Sequence, residues 1–246
     1  MQRNQKNTKI VNYTKRIEDN TYFFLQLSDK IKIVKTSPFQ TVCFPVKYKA
    51  EVKKMVIGTM GVRFYENYEF PVCFTEDIKK LEEKDAEKFY KILYLKGGKG
   101  NFSINGITKK LSGSYLVCLN EKDVINPEQL KVLHGRKKLL FFKPQVFNEN
   151  LDFLVCNEKK EPKGLDKQDI FYFRRFRWDM EWERKLIPLN ETESMMIERE
   201  LQGIEEYLTK QETADWPCLC RTNVLEILFY LAKLGAWKKK KKKEDC

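Results

Sequence analysis

Histidine is almost missing from this chain of 246 residues: His134 is the single copy. That excludes a metal site built on a histidine pair or triad, the two-histidine facial triad included. A Cys–His or Ser–His catalytic pair would have to run through that one residue. Arginine is scarce too, with ten copies against 37 lysines. Readers of phosphate and base edges lean on arginine, so the formal charge of +12 is weak grounds for a nucleic-acid partner. Six of those charges form one run, Lys238 to Lys243, which leaves +6 for the rest of the chain. The cysteines (Cys43, Cys73, Cys118, Cys156, Cys218, Cys220 and Cys246) are scattered, and only Cys218 and Cys220 lie close together. Without a second pair they make no structural zinc site, and no metal or other cofactor is expected. Their odd number, and an N-terminus with no apolar signal segment, predict free thiols in a reducing, cytoplasmic setting. Apolar runs such as Tyr115–Leu119 and Ile227–Ala232 are too short to span a bilayer, so no membrane partner is expected.

What is present is ample material for a core, with 42% hydrophobic and 13% aromatic residues. Up to about residue 190, short apolar, aromatic or β-branched runs alternate with turn signals. They are Tyr22–Leu27, Ile31–Val34, Thr41–Tyr48, Met55–Ile57, Val62–Tyr65, Phe89–Leu95, Asn101–Ile104, Ser114–Leu119, Lys138–Phe142 and Ile170–Phe173. That spacing predicts a mainly β protein, a sandwich or barrel. The charged stretch Glu76–Lys88 reads as a solvated helix or long loop between strands.

One strand is expected to end at Gly97-Gly98-Lys99-Gly100 and the next at Asn105-Gly106. Asn-Gly between apolar residues is a strong hairpin signal, because both turn positions need positive φ. A further turn is expected at Ser112-Gly113-Ser114, giving three tight antiparallel crossings. After Pro188 the apolar period changes to that of a helix. Asn190-Glu-Thr-Glu193 has the form of a capping box, and Ile197, Leu201, Ile204 and Leu208 form one stripe. That helix should stop near Lys210–Thr213, with Trp216-Pro217 as the connection. A second helix is expected from about Leu219 to Leu234, making a helical hairpin.

Several of these segments carry a family resemblance. Tyr94-Leu-Lys-Gly-Gly-Lys-Gly-Asn-Phe-Ser-Ile-Asn-Gly106, followed by Lys110-Leu-Ser-Gly-Ser-Tyr-Leu-Val-Cys-Leu119, is similar to the cupin hairpin and strand of AraC-type transcription regulators. Leu139-Leu-Phe-Phe-Lys-Pro-Gln-Val-Phe147 resembles the stretch that closes that family's barrel. Trp216 and Arg221-Thr-Asn-Val-Leu-Glu-Ile-Leu-Phe-Tyr-Leu231 resemble its dimerisation helices. The likeness covers about residues 60–237 and rests on order and spacing, since each motif is degenerate. It implies N-terminal strands over 1–60, a cupin-like jelly-roll barrel over 61–188 that senses an effector, and a dimerising hairpin over 189–237. A disordered lysine tail over 238–246 is expected to follow.

Two departures from the family stand out. The metal-binding cupin pattern of His-x-His with a later Glu and His is missing around Phe89–Leu95. The two helix-turn-helix units that follow the dimerisation helices in the family have no counterpart in the roughly ten remaining residues. The expected function is therefore the ligand-sensing and dimerising part of such a regulator, without sequence-specific DNA binding of its own. The alternative is a metal-independent cupin-like enzyme, or a sugar or small-molecule binding protein, with tyrosines or His134 as acid–base groups.

For a ligand pocket, the strand Phe89–Leu95 offers two faces, Phe89/Lys91/Leu93/Leu95 or Tyr90/Ile92/Tyr94. The second is preferred for its two hydroxyls, with Phe102 and Ile104 sharing the face and Tyr115 closing it. A filled core is the competing reading. Leu225, Leu228 and Leu231 are expected to face a second copy in a homodimer. Phe171-Tyr-Phe-Arg-Arg-Phe-Arg-Trp178 could bind single-stranded nucleic acid, but reads better as an alternating strand leading into a loop. His134 reads as a turn residue, and Cys218 and Cys220 as packing residues. Glu121-Lys122-Asp123 reads as a solvated loop. The lysine run reads as an electrostatic tail, or as the product of a poly-adenine-like coding tract whose frameshifting removed a DNA-binding half.

Overall fold

Runs of apolar, aromatic and β-branched residues in the N-terminal segment form three antiparallel strands: β1 (Tyr13–Ile17), β2 (Asn20–Leu27) and β3 (Lys30–Lys35), with Phe24 opposite both Tyr13 and Ile33. The computed structural model describes these strands and residues 57–158 and 165–244, with side chains described for 57–158 and 169–234. The chain divides into two compact units, 1–54 and 55–246, so the first ends before the expected boundary at residue 60. The expected strand Thr41–Tyr48, and residues 55 and 56, lie outside the described residues.

The second unit opens with a small hairpin, β4 (Thr59–Met60) and β5 (Glu69–Phe70). The expected strand Val62–Tyr65 is instead part of the loop between them. There follow β6 (Val72–Thr75), two 3-10 turns over Ile78–Glu82 and Lys84–Lys88, β7 (Tyr90–Ile104), β8 (Ile107–Leu119), a short helix α1 (Pro127–Val132) and β9 (His134–Phe142). Short helices α2 (Phe153–Asn157), α3 (Leu165–Tyr172) and α4 (Trp182–Lys185) lead to β10 (Leu186–Leu189), which contains Pro188. The antiparallel sheet has the order β10-β8-β7-β9-β6. Among the described residues this sheet is open, with β6 and β10 as its edges. The second unit thus has a five-stranded antiparallel sheet with C-terminal helices, and the strands among its described residues do not close into a barrel.

The predicted crossings resolve into one long hairpin. Asn105 (φ 52°) and Gly106 (φ 80°) make the predicted tight turn. The glycines at 97–100 do not end a strand; they bend one. Leu95 pairs with Tyr115 but Gly98 with Gly113, and Lys96 pairs with Arg136 but Lys99 with His134. One extra residue therefore sits in β7 against both neighbours, a β-bulge. Gly97 takes φ 63° there, and a Cβ on the facing Gly135 would lie 2.6 Å from the Lys96 carbonyl oxygen. Ser112-Gly113-Ser114, likewise, lies within continuous β8.

The sheet's two faces carry separate cores. Tyr90, Ile92, Tyr94, Leu116, Cys118, Leu140 and Phe142 point toward the C-terminal helices α5 (Glu191–Lys210) and α6 (Trp216–Glu244). Phe89, Leu93, Leu95, Val117, Leu119, Leu139 and Phe141 point the other way, toward α1 and the 3-10 turns. The helix α5 forms as the sequence predicts. The Asn190 side chain accepts from the Glu193 N–H at 2.9 Å while the Glu193 carboxylate accepts from the Asn190 N–H at 2.8 Å. Its stripe of Ile197, Leu201, Ile204 and Leu208 is buried, and Gln211 closes it in the left-handed conformation.

Four expectations need correction. Ile170–Phe173 belongs to α3 and the turn after it, not to a strand. Phe173 and Phe176 meet the sheet through Phe142 and Tyr90, a helix-side packing that period-two counting over four residues cannot reveal. Trp216 does not lie in a connection; it begins α6, with Pro217 in the first turn where a missing N–H costs nothing. The backbone of α6 continues as helix through Lys238–Lys243 to Glu244 rather than ending before a disordered tail. Extending a formed helix fixes one residue per hydrogen bond, and lysine is a good helix former. Finally, Leu228 and Leu231 do not form a free dimer face. They are 0% and 1% exposed in the core between α6 and the sheet, and Leu225 is half-buried beside them. No helix among the described residues is long and apolar enough to cross a membrane.

Leu228→Ala should therefore cost about 2–5 kcal/mol of unfolding free energy in urea titration, and Leu225→Ala much less. Equal losses from the two would contradict this placement.

Candidate functional site

The preferred pocket face is a filled core. Tyr90 is stacked on Phe176 at 4.8 Å and meets Phe153 edge-on at 4.9 Å, and burial drives its phenol far above the ordinary range. Ile92 is fully buried beside it. The Tyr94 hydroxyl lies 2.7 Å from the Ser194 Oγ on α5, and burial again raises its pKa. Phe102 and Ile104 do not share this face. The bulge at 96–98 shifts the alternation by one residue, so both point to the opposite core, as does half-buried Tyr115. The six expected ligand residues are thus split, Tyr90, Ile92 and Tyr94 on one side of the sheet and Phe102, Ile104 and Tyr115 on the other. His134 is exposed at the start of β9.

The Phe171–Trp178 arginines are engaged within the fold. Arg174 lies over the Phe171 ring, Arg175 donates to the Leu231 and Arg184 carbonyls, and Arg177 pairs with Asp179 at 2.9 Å. Cys220 is buried and its thiol is pushed up to about 12, as packing predicts, whereas Cys218 is exposed. Among the described residues no group of three or more His, Cys, Asp or Glu side chains could hold a metal ion.

A cavity of about 390 Å³ lies instead on the face of β7 that carries Phe89, Lys91 and Leu93. Its walls are Lys91, the end of β8 at Leu119, the loop Glu121–Ile125, and Leu81, Ala86 and Glu87 from the 3-10 turns. The segment Glu76–Lys88 is therefore a wall rather than a free loop, because Ala86 and the half-buried Leu81 pack onto the strand face.

The loop Glu121–Ile125 is held by a buried carboxylate. Asp123, its side chain 3% exposed, pairs with the equally buried Lys185 at 2.5 Å. Its oxygens also accept from the Asn120 N–H and from the Asn105 side-chain amide, each at 2.8 Å. Asn105 in turn accepts from the Val124 N–H, and Ile104 bridges to Ile125. Reading Glu121-Lys122-Asp123 as solvated fails for Asp123, whose partner lies 62 residues away. Beside it, Lys122 Nζ sits 3.2 Å from the centre of the Trp178 ring, and Glu121 Oε1 accepts from the Trp178 indole N–H.

Lys91 is the unusual group. It is 4% exposed, and among the described residues its Nζ has no hydrogen bond or ion pair. Burial lowers its pKa to about 8, opposed in part by the charges of Asp123, Glu121 and Glu87. A lysine in this state holds a neutral amine over much of the range where surface lysines are ammonium. The sequence carried a sign of it, a lysine at an inward position between Phe89 and Leu93.

Two expectations follow. Lys185→Met strands the Asp123 carboxylate in a buried site and should cost about 3–5 kcal/mol in urea unfolding. For Lys91, the unfolded chain keeps its proton up to the ordinary value of 10.5 while the folded chain releases it near 8. Stability therefore rises with pH across that window. Lys91→Met should be the more stable protein at neutral pH, and wild type should close a gap on the order of 3 kcal/mol as pH rises through the window. A gap that does not change with pH would contradict the buried amine.

No protein-family model matches this chain, and no curated protein matches it.

Proposed function

We propose that this chain is a ligand-sensing and dimerising module of the AraC-regulator kind, with its open sheet as part of a cupin-like jelly roll. The observation that carries the reading is that one strand serves both faces of the sheet. β7 presents Lys91 to the cavity and, three residues on, Tyr94 to Ser194 of α5. Lys96, two residues further, pairs with Glu198 of α5, which Arg136 of β9 also reaches at 3.2 Å. The Glu198 carboxyl is held below its ordinary range by its hydrogen bond to Lys96. A ligand that moves the start of β7 acts on contacts made by the helical hairpin.

Dimerisation belongs to the same proposal, on a surface other than that of Leu228 and Leu231. Sequence-specific DNA recognition does not, since phosphate contacts by lysines carry no sequence information.

The test is amide exchange under a panel of neutral sugars and polyols. A binding member should raise the thermal midpoint and change exchange within 191–210, and Ala86→Phe, which fills the cavity, should abolish both effects. A panel without effect on that helix, or an effect that survives Ala86→Phe, would overturn the reading.

A further inference from the structure

The cavity combines the Lys91 amine, which has no partner among the described residues, with carboxylates and an apolar wall. An anionic ligand is disfavoured there, because Glu87 and Glu121 face the same space and Asp123 is already matched by Lys185. A cationic ligand would meet Lys91 and Lys122. A neutral ligand remains, with hydroxyls for the carboxylates and an apolar edge for Leu81, Leu119 and Ile125.

We propose that Lys91 captures a small neutral aldehyde or ketone in this cavity as a reversible imine. The proposal rests on the ligand-sensing reading above and names the ligand's chemical class. The Nζ lone pair adds to the carbonyl carbon, and the carbonyl π electrons go to oxygen. Proton transfer from nitrogen to that oxygen gives a neutral carbinolamine. Loss of the hydroxyl with the remaining N–H proton, as water, then forms the C=N bond. Nothing is oxidised or reduced, and hydrolysis runs the same steps backwards.

One feature of the site suits these proton transfers. The depressed basicity of Lys91 leaves a neutral amine fraction near pH 7.5 roughly two hundredfold above that of an ordinary lysine. The charged groups around it are Glu87, Glu121, Asp123 and Lys122, with Lys185 balancing Asp123.

D-glyceraldehyde with cyanoborohydride, which near neutral pH reduces the iminium in preference to the free aldehyde, is a suitable probe, read by peptide mapping of the full chain near pH 7.5. Reductive labelling should concentrate on Lys91, about tenfold or more above the mean of the other lysines. It should fall in the presence of excess glycerol, which has the size and hydroxyls but no carbonyl. Labelling spread over surface lysines with Lys91 untouched would overturn the imine. Because that map is made on wild type, it stands even if Lys91→Arg folds poorly; a folded Lys91→Arg should lose the site's label while keeping the background. The two proposals also fail separately. Glycerol or a sugar that alters exchange in 191–210 while Lys91 stays unlabelled overturns the imine and leaves sensing intact. Selective Lys91 labelling without any change in that helix supports the imine and removes the sensing role.

Discussion

Side chains on a strand alternate between two faces, and one extra residue exchanges the faces for everything beyond it. The second unit depends on that constraint at a single place, residues 96–98 of its central strand. Before the bulge, even-numbered residues of β7 meet the helical hairpin; after it, even-numbered Phe102 and Ile104 meet the opposite core. Without the extra residue, either Tyr94 or Phe102 would be on the wrong side. Gly97 and Gly135 are the residues that let two backbones come together there, the first by its positive φ and the second by having no Cβ.

The bulge also sets where polar groups can be buried. Beyond it the β7–β8 hairpin brings Asn105 beside the loop after β8, where Asp123 accepts its side-chain amide. That carboxylate then takes Lys185, at the end of α4, as its counter-ion. Three stretches far apart in sequence are tied at one buried point, and the loop so held forms one wall of the cavity. An ion pair of this kind is weak grounds for net stability, but removing one partner is costly, so it fixes an arrangement. Lys91, one strand away, has no such partner among the described residues.

Much of this was legible in the sequence. The Asn105-Gly106 turn, the capping box at Asn190, the stripe on α5 and the β-rich character all follow from local patterns, and local patterns are what short-range physics writes. The failures share one origin. Gly97–Gly100 and Ser112–Ser114 have turn composition, yet composition does not distinguish a turn from a bulge, and register with both neighbours decides. The division of Tyr90, Ile92 and Tyr94 from Phe102 and Ile104 followed from that one ambiguity. Leu228 and Leu231 looked spare because a helix's apolar width can be counted from sequence but the number of elements covering it cannot. Asp123 looked solvated because its counter-ion comes from another part of the chain.

Edge strands are where a sheet can recruit another chain, because their outer N–H and C=O groups lack partners. One edge here is β10, only four residues long, with Pro188 in its middle. Proline has no N–H to offer an incoming strand, and a ladder of four positions cannot hold a long one. Growth of the sheet past β10 is thus blocked by backbone chemistry. Any second copy or misfolded neighbour is denied a continuous ladder on that side, and association there falls to side chains.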